Sequence, residues 1–280
     1  MPPSPSMSEA ARDVHRHDRE RFVTALFAPE PEREALLTLY AFNLEIARVR
    51  ENVREGVAGL IRLQWWRDVL NGERDDEAAR HPVAGPLLAL VRERQLSMAL
   101  FDLMLTAREQ DLAQSPFATR SEFAIYAQQT AGTLAELAVL VLGETDGDSR
   151  DIARQVGRIW ATTGLLRALP VHLAQGWLTL PAEILTPSGC STDEVLAGKA
   201  SREAMAKAVA VLGRQAAEDL RAIRKRRVSR RVLPAVLSAT LAAGHLRRLE
   251  RAGWDVFDAS VLRPRPMPLR LTINALFGWF

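Results

Sequence analysis

The chain holds 280 residues, 48% hydrophobic and 25% charged, with 37 Lys+Arg against 34 Asp+Glu for a net charge of +3. That composition excludes a wholly disordered chain, a collagen-like chain and a polytopic membrane protein, and it leaves ample apolar material for a core. An excess of three positive charges is too small to argue by itself for nucleic acid or anionic lipid as a partner. Residues 1–11 carry three prolines and three serines but no apolar stretch, so they read as a short disordered tail without a secretory signal. Proline is then absent from Glu32 to His81, from Phe117 to Leu169 and from Ser188 to Leu233, and those stretches are open to long helices. Pro31 and the acids after it suit a first turn, and Leu36, Leu37, Tyr40, Leu44 and Ala47 follow one helix face. The face continues through Val53, Val57, Leu60, Ile61, Trp65 and Val69, with Gly56 and Gly59 marking a break and Asn71-Gly72 a stop.

Farther along, residues 85–113 read as one or two helices, and residues 121–142 as a core helix apolar nearly all round. Residues 151–169 form another candidate, ended by Pro170; residues 195–228 and 232–251 complete the set. Alternating strand patterns bounded by hairpin dipeptides do not stand out. The pattern predicts an all-α single domain over residues 12–262, followed by a Pro/Arg linker and an apolar C-terminal segment over residues 263–280.

The single cysteine, Cys190, excludes an internal disulfide and a multi-cysteine zinc cage, and it fits a reducing compartment. Its flank, Thr186 to Asp193, reads as a polar loop running into a helix start. The five histidines form no i,i+4 metal pair, and neither a P-loop, a dinucleotide fingerprint nor a nucleophile elbow occurs. Trp65-Trp66 reads as core packing plus one interface ring. Between Arg221 and Arg231 lie seven cations in eleven residues, which read as a solvated helix end or as a contact for anionic lipid heads. The last dozen residues carry Leu269, Leu271, Ile273, Leu276, Phe277, Trp279 and Phe280, with Arg270 their only charge. Burial against the domain is one reading of that segment. The other is a membrane or partner contact through Arg270, Phe277, Trp279 and Phe280.

Several segments together resemble the squalene/phytoene synthase family. Leu36 to Phe42 resembles the helix leading into its first aspartate-rich motif, and Trp65-Trp66-Arg67 the tryptophan-containing helix downstream. Tyr126-Ala-Gln-Gln-Thr-Ala-Gly132 is similar to its Y-C-x-x-V-A-G motif, and Gly157 to Pro181 follows the spacing of its second aspartate-rich region. The resemblance spans roughly residues 18–260. It implies an isoprenoid-synthase-like helical bundle around a central cavity, in which carboxylates of two facing motifs hold Mg²⁺ against a diphosphate.

Aligned on those segments, the first motif should read D-D-x-x-D at positions 47, 48 and 51, where this chain has Ala47, Arg48 and Glu51. The second should read R-D-x-x-x-D, where this chain has Arg167, Ala168 and His172. A hard cation needs several oxygen ligands, so the expectation is a pseudoenzyme without catalytic residues, metal or cofactor. Its remnant cavity would be lined by Ala47, Arg48, Glu51, Tyr126, Arg167, Ala168 and His172. Residues 41–47, with Gly59 to Trp66 and Arg167 to Pro170, resemble a branch of the family that includes a mitochondrial assembly factor of respiratory complex I. That likeness implies complex I subunits or other assembly factors as partners. It also implies a cytoplasmic protein, peripheral on the inner face of an energy-transducing membrane (the matrix side in a mitochondrion). The competing expectation is a prenyl-diphosphate transferase or a binder of an apolar isoprenoid ligand, with Arg48, Arg62 and Arg167 gripping diphosphate directly.

Overall fold

The computed structural model describes residues 7–53, 56–113, 115–262 and 267–280. Every regular element among them is helical. Ser8 accepts from the Ala11 N–H and starts α1 (Glu9–His17), and Asp18 accepts from the Arg21 N–H to start α2 (Arg19–Ala25). The tail therefore ends before residue 11: Ala10 and Ala11 sit in the core, one turn inside a capped helix. Residues 1–6 of that expected tail lie outside the described residues.

The long face read from Glu32 to Asn71 is three helices, α3 (Glu32–Ala47), α4 (Val49–Asn52) and α5 (Gly56–Leu70), stopped at Gly72 with φ 79°. Next come α6 (Asp75–Arg80), α7 (Ala84–Arg94) and α8 (Met98–Ala113), the last two parted by Gln95 in a left-handed conformation. Residues 120–141 form α9 (Arg120–Ala127), a π-helical turn over Gln128–Gly132, and α10 (Thr133–Val141). The axis of the bundle is α11 (Gly147–Ala174), 28 residues and about 42 Å long.

Pro170 lies inside α11 instead of ending it. Its missing N–H forfeits one backbone bond near the helix end. Packing of Leu166 and Leu169, both fully buried, holds the last turns in place. The chain continues through α12 (Ala182–Ser188), α13 (Thr192–Leu196), α14 (Arg202–Ile223), α15 (Leu233–Val236), α16 (Ser238–Arg251), α17 (Ala259–Leu262) and α18 (Pro268–Phe277). The start of α13 is a capping box between Ser191 and Glu194, just after buried Cys190.

α11 packs against the π turn, α10, α14 and α16, while α3 packs against α1, α2, α7 and α10. The closest approach is between Gly157 of α11 and the π turn, where a Cβ on Gly157 would overlap the Ala131 carbonyl and the Gly132 backbone. The two elements can therefore pass only without a side chain there. Trp66 is fully buried, edge-on to Phe42 at 4.9 Å, while Phe101 meets Phe42 at 5.5 Å. Trp65 stays half-buried and donates its indole N–H to Glu77, as the interface ring of the pair.

Candidate functional site

The centre of the bundle is bounded by Arg21 and Thr24 of α2, Tyr40 of α3, Ala131 of the π turn, Gly157 and Trp160 of α11, and Ala235 of α15. The cavity between them is about 20 Å³, room for roughly one water. None of the residues expected to line a central cavity borders this space. Arg21 closes it: its guanidinium lies 5.9 Å from the Tyr40 ring centroid and 6.0 Å from that of Trp160, and Asp18 holds it at 2.6 Å. Burial drives the Tyr40 phenol up to about 12, so it stays protonated.

Two polar nodes flank this centre. In the first, Arg108 of α8 donates from Nη1 to the Tyr126 hydroxyl at 2.7 Å and to Asp111 Oδ2 at 3.2 Å. Asp111 and Tyr126 are buried, and the Arg108 side chain is only 14% exposed. Desolvation raises the Asp111 carboxyl and the Tyr126 phenol above their ordinary ranges, and Arg108 partly offsets both shifts. Arg50 of α4 extends this node, its guanidinium 4.4 Å from the Trp177 ring centroid, where the His172 ring also lies 4.4 Å away. Burial, assisted by the charge of Arg50, pushes the His172 imidazole down to about 4. Four buried atoms here, Arg50 Nε, Arg108 Nε, Asp111 Oδ1 and His172 Nδ1, have no hydrogen-bond partner among the described residues.

The second node joins helices remote in sequence. Glu20 of α2 contacts His245 Nε2 of α16 at 2.5 Å and Arg167 Nη1 of α11 at 3.2 Å. Although burial opposes ionisation of Glu20, its two partners overcome that and hold the carboxyl below the usual range. Desolvation lowers His245 as well, so a neutral imidazole donates to an ionised carboxylate at neutral pH.

The residues singled out from the sequence are therefore dispersed. Tyr126 and His172 belong to the first node, and Arg167 to the second. Ala47 and Ala168 are half-buried. Arg48 pairs with exposed Glu51 at 3.7 Å and lines a surface cleft of about 360 Å³ with Glu45 and Arg62, which pair with each other at 2.9 Å. Phe280 is buried, 5% exposed, and so is an anchor and not a contact surface. Arg50, Arg108, Asp111, Glu20 and His245 went unread. A signal existed for three of them: Arg108 and Asp111 continue the spacing of Phe101 and Met104, and His245 lies midway between Leu241 and Leu249.

Residues 14–270 match the family described as squalene/phytoene synthase. The chain belongs to that family. Relatives within it include the proteins named NADH dehydrogenase (ubiquinone) complex I, assembly factor 6, of Mus musculus and Homo sapiens. Each is 26% identical over 265 residues, covering 94% of this chain and 79% of the relative. A presqualene diphosphate synthase of Sinorhizobium fredii is 25% identical over 182 residues, 64% of each chain. Two solved members share the fold at 19% identity. The squalene synthase HpnC of Alicyclobacillus acidocaldarius has a TM-score of 0.74, covering 88% of this chain and 93% of that one. A dehydrosqualene synthase with ligand has 0.78, covering 96% and 93%.

Proposed function

We propose that this family member is a non-catalytic helper in the assembly of respiratory complex I. The observation that carries the reading is the charge of the aligned motif positions within a frame matched over 257 of 280 residues (14–270). Positions 47, 48, 168 and 172 hold alanine, arginine, alanine and histidine, and the remaining acid, Glu51, is exposed and paired to Arg48. These residues do not fit a Mg²⁺–diphosphate cage. A magnesium ion asks for several oxygen ligands, whereas the neighbourhood offers the Arg50 guanidinium and a desolvated imidazole. Asp111 already serves Arg108 through one oxygen. Support for the assembly role comes from the named complex I assembly factors, whose likeness covers 94% of the chain. Complex I subunits or fellow assembly factors would be the partners, met at the inner face of the membrane that houses the complex.

Deleting the gene in the source organism tests the reading. NADH:ubiquinone oxidoreductase activity and the amount of assembled complex should fall, with isoprenoid products unchanged. Mg²⁺-dependent turnover of farnesyl or geranylgeranyl diphosphate by the pure protein would overturn it in favour of a prenyl transferase.

A further inference from the structure

The C-terminal helix α18 is held to the bundle along one side. Leu271 and Phe280 are buried, and the Asn274 amide donates to Thr240 Oγ1 of α16 at 2.7 Å. Its other side is apolar and open. Leu269 is 79% exposed, Leu276 65%, Phe277 64% and Trp279 59%, and Ile273 is exposed as well. Positions 269, 273, 276 and 277 share one helical face, and the rings of Phe277 and Trp279 stack at 5.0 Å to extend it. No soluble monomer gains by keeping so many large side chains in water on ten residues of helix.

The charges along this stretch of sequence all have one sign. From Ala259 to Phe280 the sequence has three arginines and no acid. Arg270 on α18 itself is exposed. The basic run before α15 comes to the same place, because Arg230 donates to the Leu276 carbonyl at 3.3 Å, with Lys225, Arg227 and Arg231 also exposed. A second copy of the chain would bring like charges together on docking. An anionic bilayer surface instead attracts the cations while its acyl boundary takes the leucines and rings, with tryptophan at the interface. No helix among the described residues is long and apolar enough to cross a membrane, so the contact lies in the surface plane.

We propose that α18 seats the protein on an anionic lipid surface, with Leu269, Ile273, Leu276, Phe277 and Trp279 entering the headgroup boundary and Arg230 and Arg270 meeting lipid phosphates. The docking is independent of the assembly role: either can fail while the other stands. The test is co-sedimentation of the full chain with vesicles of phosphatidylglycerol and phosphatidylcholine, against phosphatidylcholine alone. Binding should favour the anionic vesicles and weaken as salt rises. The double variant Phe277→Ser/Trp279→Ser should lose about tenfold or more in partition, with an unchanged melting temperature because both rings are exposed. Arg230→Gln/Arg270→Gln should lose several-fold and flatten the salt dependence. Equal binding of native and variant chains would overturn the proposal. So would failure of the native chain to bind, or sedimentation equilibrium showing that the face pairs two copies of the chain.

Discussion

The two polar nodes of the interior are built from similar residue types, yet they are satisfied very differently. The Arg108–Asp111–Tyr126 node, with half-buried Arg50 and His172 beside it, keeps four polar atoms without partners among the described residues. The Glu20–Arg167–His245 node is a third exposed at its carboxylate, and Glu20 spends one oxygen on each partner. A carboxylate shared between two donors, one of them charged, gains charge-assisted bonds that outweigh its own desolvation. The first node carries the larger cost, since Arg108 and Asp111 are almost wholly removed from water. The second should therefore act as a tie between α2, α11 and α16, and the first as the place where the bundle is easiest to break.

Asp111→Ala probes that contrast at its most sensitive point, because it strands the buried Arg108 guanidinium. Urea unfolding should show a loss of about 3–5 kcal/mol. A loss below about 1 kcal/mol would mean that Arg108 readily finds water, and the contrast would collapse. His245→Ala removes a bond to a carboxylate that solvent and Arg167 still reach, so the loss should be smaller, about 1–3 kcal/mol.

Acid sharpens the comparison further. His172 has its folded pKa depressed from 6.5 to about 4, so the unfolded chain binds more protons between those values. Stability from this group is complete above pH 6.5 and is lost as pH falls toward 4, on the order of 3 kcal/mol in all. His172→Gln should flatten that part of the stability–pH curve, leaving the share of His245, which is depressed in the same direction. Glu20 acts lower: its folded pKa lies under the ordinary 4.5, and its contribution is lost only as pH drops through the folded value. The smallest effect should come from Arg48→Ala. That residue's partner Glu51 is exposed, so thermal melting should register a change within about 0.5 kcal/mol.

Much of the frame is legible in the sequence because proline gaps and apolar spacing report burial directly. The stop at Gly72 and the divided roles of Trp65 and Trp66 follow from local patterns, whereas residues 85–113 leave one helix or two open. Pro170 misleads, since the buried faces of Leu166 and Leu169 outweigh one lost backbone bond. The site is less legible because its residues are joined across 147 positions between Glu20 and Arg167 and 225 between Glu20 and His245, and no local pattern reports such pairing. Phe280 shows the same limit. Composition marks the C-terminal segment as apolar, but only the fold separates the ring that anchors from the rings that face out.

The cavity of about 20 Å³ beneath Arg21 has a consequence for any prenyl chain that reaches this protein. Pockets that hold organic ligands run to about 300–1,000 Å³, so nothing of that size enters this space while Arg21 lies over it. Binding there would select a form with Arg21 withdrawn and α2 lifted. Its apparent dissociation constant would rise above the intrinsic one by the inverse of that form's population. The N-terminal helices would then be a gate whose equilibrium sets affinity, and cutting the Glu20–His245 tie would strengthen ligand binding even as it weakens the fold.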